Sequence, residues 1–95
     1  MTRSEMVSED VVIRNQLGLH ARAAAKLVRA AASYRSRILL LRGDNAVQAD
    51  AKSILSVLTL AASFGTKLTI QCEGDDEIGA LAEMRELFES GFGEE

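Results

Sequence analysis

The chain has 95 residues, 47% of them apolar and 26% charged, which suits one hydrophobic core and leaves no room for a second. Its 11 basic and 14 acidic side chains give a net charge of −3 and a sequence pI near 5.2, so binding nucleic acid through overall positive charge is excluded and a protein partner is the default. One cysteine and one histidine exclude an intrachain disulfide and fit a metal centre poorly, so no metal and no cofactor is expected.

Residues 1–6 read as a flexible N-terminal tail, 7–92 as a single domain and 93–95 as a C-terminal tail. The first eight residues lack the basic and then apolar blocks of a secretory signal, and no apolar run approaches the roughly 20 residues of a membrane span. A cytoplasmic address is therefore expected, with no membrane insertion. Val11, Val12 and Ile13, with polar neighbours, predict a first strand within 7–15, because β-branched residues favour the pleated backbone.

After Gly18 the period changes. Ala24, Leu27, Val28 and Ala31 recur at helical spacing, with Arg22, Lys26 and Arg29 on the other face, which predicts an amphipathic helix with a basic outer stripe. The run Ile38 to Leu41, the turn residues Gly43-Asp44-Asn45 and the segment 46–50 predict a β-hairpin. The tripeptide Arg42-Gly43-Asp44 also spells an adhesion motif, which a chain with no secretory route has no occasion to use.

Between Lys52 and Phe64 the spacing of Ile54, Val57, Leu58 and Ala61 predicts a second helix with Gly65 as its stop, and Leu55 lies off the inward stripe. Lys67 to Cys72 alternates as a fourth strand, in which Cys72 is expected to be a plain buried thiol. Gly74-Asp75-Asp76-Glu77 then opens a last helix with acids at its positive end. Ile78, Leu81, Ala82 and Phe88 are expected inside it, Glu83, Glu86 and Glu89 outside, with Gly91 ending it. The order β, α, β, β, α, β, α predicts an α+β fold, an open-faced β-sandwich of four mostly antiparallel strands with three helices on one face.

Charge is segregated within this order: residues 11–42 hold seven Arg or Lys and no acid, whereas residues 73–95 hold nine acids and only Arg85. A basic field on one flank would steer an acidic partner there even though the whole molecule is negative. The place where chemistry could sit is Gly18-Leu19-His20-Ala21-Arg22, at the junction of the first strand and first helix. No Ser, Thr, Asp or Asn caps this helix, and the position falls to His20, the only histidine. Free N–H groups and the positive end of the helix dipole favour a neutral ring and a bound anion there. Arg22 offers always-charged planar donors, and Gly18 permits the turn that presents the ring. A neutral imidazole nitrogen can attack a transferable phosphoryl group, although a lone histidine at a helix start is as readily an ordinary surface residue.

Gly18-Leu19-His20-Ala21-Arg22-Ala23-Ala24 resembles the active-site signature of the histidine-containing phosphocarrier (HPr) family. Lys52-Ser53-Ile54-Leu55-Ser56-Val57-Leu58 is similar to that family's regulatory stretch, and the ending Glu89-Ser90-Gly91-Phe92-Gly93-Glu94 is typical of it. The resemblance covers about residues 7–92. It implies that His20 takes phosphate at its δ nitrogen from the phosphoenolpyruvate-dependent enzyme I of the sugar phosphotransferase system and passes it to IIA domains, with Arg22 stabilising the transferring group. It also implies that Ser53 is a site for an HPr kinase/phosphorylase, where a phosphate would add about −1.5 to −2 charges to the docking face at a helix start. Ser53 reads equally as a plain N-cap. Leu55, Ile54 and Leu58 occupy the family's apolar docking positions, with Lys26 and Arg29 as basic neighbours. Core packing competes for Ile54 and Leu58, and Leu55 is the best anchor. A monomer that is transiently phosphorylated, rather than a turnover enzyme, is expected.

Ala23 replaces the family's proline, which leaves the start of the first helix less rigid. Ser56 and Ala61 stand where glycines are common, and the hairpin is about two residues longer than usual. Other readings stay open: a nitrogen-branch regulatory phosphocarrier, or a diverged non-catalytic protein-binding module. An acylphosphatase-type enzyme is the weakest, since Arg14 and Asn15 form no phosphate-cradling pattern.

Overall fold

The computed structural model describes residues 6–43 and 46–94. The expected N-terminal tail, apart from Met6, and the turn pair Asp44-Asn45, which includes the last residue of the adhesion-like tripeptide, lie outside the described residues. The element order is β1 (Val7–Val12), α1 (Ala21–Ala31), β2 (Arg37–Arg42), β3 (Val47–Asp50), α2 (Ile54–Leu58), β4 (Lys67–Glu73) and α3 (Glu77–Glu89), followed by a short helical turn at Gly91–Gly93. The strands form one sheet in the order β1-β4-β2-β3, antiparallel throughout.

Alternation decides which sheet face is covered. In β4, Leu68, Ile70 and Cys72 are fully buried, while Lys67 and Glu73 are exposed and Thr69 and Gln71 half-buried. Val11 of β1, Ile38 and Leu40 of β2 and Ala49 of β3 add to the same face. Over it pack Ala23, Ala24, Leu27 and Ala31 of α1, Val57 of α2, and Ala80, Met84 and Phe88 of α3. The alanines of α1 let that helix approach closely. Each large side chain buried here contributes roughly 1.5–3 kcal/mol. Cys72 is fully buried as expected, and burial pushes its thiol up to about 11, so it is inert at neutral pH.

Two helices depart from the sequence pattern. The second was expected to run toward Phe64 and stop at Gly65, but α2 holds only Ile54–Leu58. Beyond it the N–H groups of Leu60 and Ala61 bond three residues back, to Val57 and Leu58, and Ala61 takes a left-handed φ of 49°. The Arg42 guanidinium then stands in for a further turn: it donates to the carbonyls of Leu60 and Ala61 at 2.7 and 2.9 Å, filling the acceptors a longer helix would use. Gly65 is left-handed, but it serves the turn into β4.

With so short a helix the inward set is Val57 followed by Leu60 and Ala62; Ile54, Leu58 and Ala61 are exposed, which corrects the expected stripe. In α3 the inward face is Ala80, Met84 and Phe88, together with Glu77 at the first turn. Ile78 and Ala82 are exposed, contrary to expectation, and Leu81 is half-buried. Apolar residues surround most of this helix, so its period left the phase open. The outward positions of Glu83, Glu86 and Glu89 are as expected.

Asp76 also does something other than cap its helix. Its carboxylate accepts from the backbone N–H groups of Arg35 and Ser36, each at 2.9 Å, and from the Ser36 hydroxyl, closing the entry to β2. These bonds, led by the Ser36 hydroxyl, lower its pKa to about 2.

Candidate phosphoryl site

The loop between β1 and α1 is pinned at both ends before it reaches the histidine. Ile13, buried, exchanges backbone bonds with the 65–66 turn: its N–H donates to Thr66 O and its carbonyl accepts from Gly65 N–H, both at 2.9 Å. Asn15 closes the next turn reciprocally, its carbonyl accepting from Gly18 N–H at 3.0 Å and its amide donating to Gly18 O at 2.7 Å. Gly18 has φ +71°, and a Cβ there would lie 2.6 Å from Ala62 O, so only glycine fits without movement. Leu19, buried, donates from its N–H to that same Ala62 carbonyl at 2.9 Å.

His20 follows as the N-cap of α1, with extended backbone, and its carbonyl accepts the first helical bond from Ala24 N–H at 2.8 Å. The expectation that the ring itself fills the cap holds: Nδ1 accepts from Arg22 N–H, at a long 3.3 Å. The other nitrogen, Nε2, lies 2.6 Å from Glu94 Oε2. A nitrogen that accepts carries a lone pair, and one facing a carboxylate carries the proton, so both contacts favour the same neutral tautomer. The side chain of His20 keeps 23% of its surface exposed. Its Nδ1 lone pair is held only by a weak bond and stays available to an electrophile.

Glu94 arrives by a left-handed turn. After α3, Gly91, Phe92 and Gly93 all have positive φ, which folds the chain back. Phe92 is buried against Phe88, ring centroids 5.0 Å apart at 71°, and Lys26 Nζ donates to Phe92 O at 2.7 Å. Asn15 Nδ2 donates to Glu94 Oε1 at 3.0 Å. That bond, opposed by partial desolvation and helped by His20 and the positive field of Arg22, holds the Glu94 carboxyl below the usual carboxylate range. Sequence reasoning missed Asn15 and Glu94. The signal available for Glu94 was the Gly-Phe-Gly triplet before it, which marks a reversal rather than a free end.

Arg22 is exposed, and its guanidinium makes no hydrogen bond among the described residues. It lines an open recess of about 300 Å³ with Gln16, Leu17, Lys26, Gly93 and Glu94. A larger hollow of about 420 Å³ is lined by Gly43, Gly65, Thr66, Lys67 and Thr69, none of which bonds to His20; the smaller recess is lined by Arg22 and by Glu94, the partner of His20 Nε2, and is the candidate site. Lys26 is half-buried and fastens the C-terminal turn through Phe92 O, and Arg29 is exposed.

Ser53 caps α2, its Oγ accepting from Ser56 N–H at 3.2 Å. A five-residue helix has little dipole to offer a phosphate, so the electrostatic welcome expected there is weak. Leu55 is 75% exposed, Ile54 39% and Leu58 37%. Leu17 and Phe64, on the two loops joined through Leu19 and Ala62, are also exposed, and sequence reasoning had not singled them out.

The profile of the family described as PTS HPr component phosphorylation site matches residues 7–90. The chain is 41% identical over 90 residues to the phosphocarrier protein HPr of Treponema pallidum, covering 95% of this chain and all of that one. It is 38% identical over 89 residues to the phosphocarrier protein NPr of Klebsiella oxytoca, covering 94% and 98%. The crystal structure of an HPr from Thermoanaerobacter tengcongensis superposes with a TM-score of 0.87 at 37% identity, covering 94% of this chain and 98% of that one. Such agreement in sequence and fold over nearly the whole length shows that the chain belongs to the HPr family of phosphocarrier proteins of the phosphotransferase system.

Proposed function

We propose that His20 is the phosphoryl-carrying residue and that phosphate is taken and given at Nδ1. The observation that carries this reading is the position of the ring: Nδ1 faces the first turn of α1 with its lone pair engaged only by the 3.3 Å bond from Arg22 N–H, and the guanidinium of that same residue has no hydrogen-bond partner among the described residues. In transfer the Nδ1 lone pair forms the new N–P bond while the donor's bond to phosphorus breaks and its electron pair leaves with the donor atom. The helix N–H groups and Arg22 offset the charge on the phosphoryl oxygens as they pass.

On this reading the donor is an enzyme I and the acceptors are IIA-type domains, which meet the carrier in the cytoplasm. Leu55, the most exposed apolar residue of α2, is the anchor of the docking face, with Ile54, Leu58 and the cation of Arg29 around it. Ser53 is a site for regulatory phosphorylation, whose consequence is added negative charge on that face rather than stabilisation of α2. The similarity to both HPr and NPr proteins supports the carrier reading without choosing between the sugar and nitrogen branches.

The test is intact-mass detection of one acid-labile phosphate after incubation with phosphoenolpyruvate and the enzyme I of each branch in turn. Uptake by the wild type and none by His20→Ala establishes the carrier, and the faster enzyme I assigns the branch. No uptake from either leaves a protein-binding module.

A further inference from the structure

We propose that Glu94, held in place by Asn15, is a positioning residue for His20: it fixes the ring with its proton on Nε2 and supports the ring's positive charge as the N–P bond forms. The first half stands on geometry alone, and the second rests on the carrier reading above.

The contacts form a line. The buried Asn15 side chain gives its two amide hydrogens to Gly18 O and Glu94 Oε1, which anchors the carboxylate to the same turn that precedes the histidine. Glu94 then presents Oε2 to Nε2 at 2.6 Å, a short contact of the charge-assisted kind. Only 14% of the Glu94 side chain is exposed, so water competes weakly for it. The carboxylate reaches the ring from the chain's far end only because three successive left-handed residues, the Phe88–Phe92 ring contact and the Lys26 bond to Phe92 O hold the turn closed.

An isolated imidazole in water divides its proton between two nitrogens. A ring with its proton on Nδ1 cannot attack there, so every molecule in that form is idle. A carboxylate at Nε2 draws the proton to that side and leaves the lone pair on Nδ1. When Nδ1 bonds to phosphorus, the ring acquires positive charge while the proton stays on Nε2, and the charge on Glu94 opposes that build-up. Glu94 touches neither the phosphorus nor the donor. Arg22, the other charged group whose field reaches Glu94, lines the same recess.

Ring nitrogen shifts of ¹⁵N-labelled protein, with the kinetics of enzyme I using each variant as substrate, test this directly. The wild type is expected to show one tautomer, protonated at Nε2. Glu94→Ala should show an averaged pair of tautomers and a kcat lower by about ten-fold, the scale of one charge-assisted bond, with KM little changed. Glu94→Gln, which can still turn its carbonyl oxygen toward Nε2, should keep the tautomer and lose only part of the rate. A Glu94→Ala ring that stays in the wild-type tautomer, or a kcat that does not fall, overturns the proposal. A wild-type chain that takes no phosphate removes the carrier reading and the transfer half with it, while the nitrogen shifts still judge the tautomer half.

Discussion

The starts of α1 and α2 use the same device, a side chain accepting from a backbone N–H of its own first turn, yet they are built differently. Ser53 is a local cap: its partner is Ser56, and its own N–H bonds to Asp50 O, each three residues away. His20 is capped locally through Nδ1 but gripped remotely through Nε2 by a residue 74 positions away. A local cap can end a helix anywhere. A cap held from both sides fixes which atom of the ring is left to react.

Gly18→Ala strikes hardest at the remote arrangement. Its φ of +71° and the 2.6 Å approach to Ala62 O force the 13–19 loop away from the 60–66 loop. We expect a loss of ~2–3 kcal/mol, read as a clear fall in Tm, together with slower phosphate uptake because the ring is no longer presented. Arg22→Ala sharpens the comparison by sparing the scaffold: uptake should slow by roughly 30-fold, the scale of one lost charge-stabilising donor, at unchanged Tm. Normal transfer by that variant would deny Arg22 its role.

Ser53→Ala removes only the local cap, so chemical denaturation should report a loss of about 1 kcal/mol while unregulated transfer continues at the wild-type rate. A transfer defect as large as that of Arg22→Ala would mean the two helix starts are coupled after all. The smallest effect belongs to the third helix start. Asp76 titrates near 2 when folded against an ordinary 3.8, so its contribution is complete above about pH 4 and is lost as pH falls from 4 through 2. Asp76→Asn should flatten that part of the curve of Tm against pH and leave transfer unchanged.

Much of this was legible in the residues themselves. The pentapeptide Gly18 to Arg22 contains a turn-former, a cap and a cation in adjacent positions, so nearest-neighbour chemistry was enough to nominate it. Strand alternation placed Leu68, Ile70 and Cys72 on the covered face without help from distant contacts. The α2 stripe failed because a helix of about one and a half turns has no dominant face, and its end is set by Arg42 on another element. The α3 phase failed because Ile78 and Ala82 are as apolar as the residues that are buried. Glu94 escaped for a different reason. Nothing in its neighbours encodes an acceptor for a ring on the first helix, and only the fold joins the two.

The fastening of the last turn by Phe92 and Lys26 has a practical consequence. A purification tag or reporter fused beyond Glu94 would follow closely on the carboxylate that meets His20 Nε2. Handles for binding or kinetic work belong at the other end of the chain, ahead of β1, and rates measured with C-terminal fusions would describe an altered site.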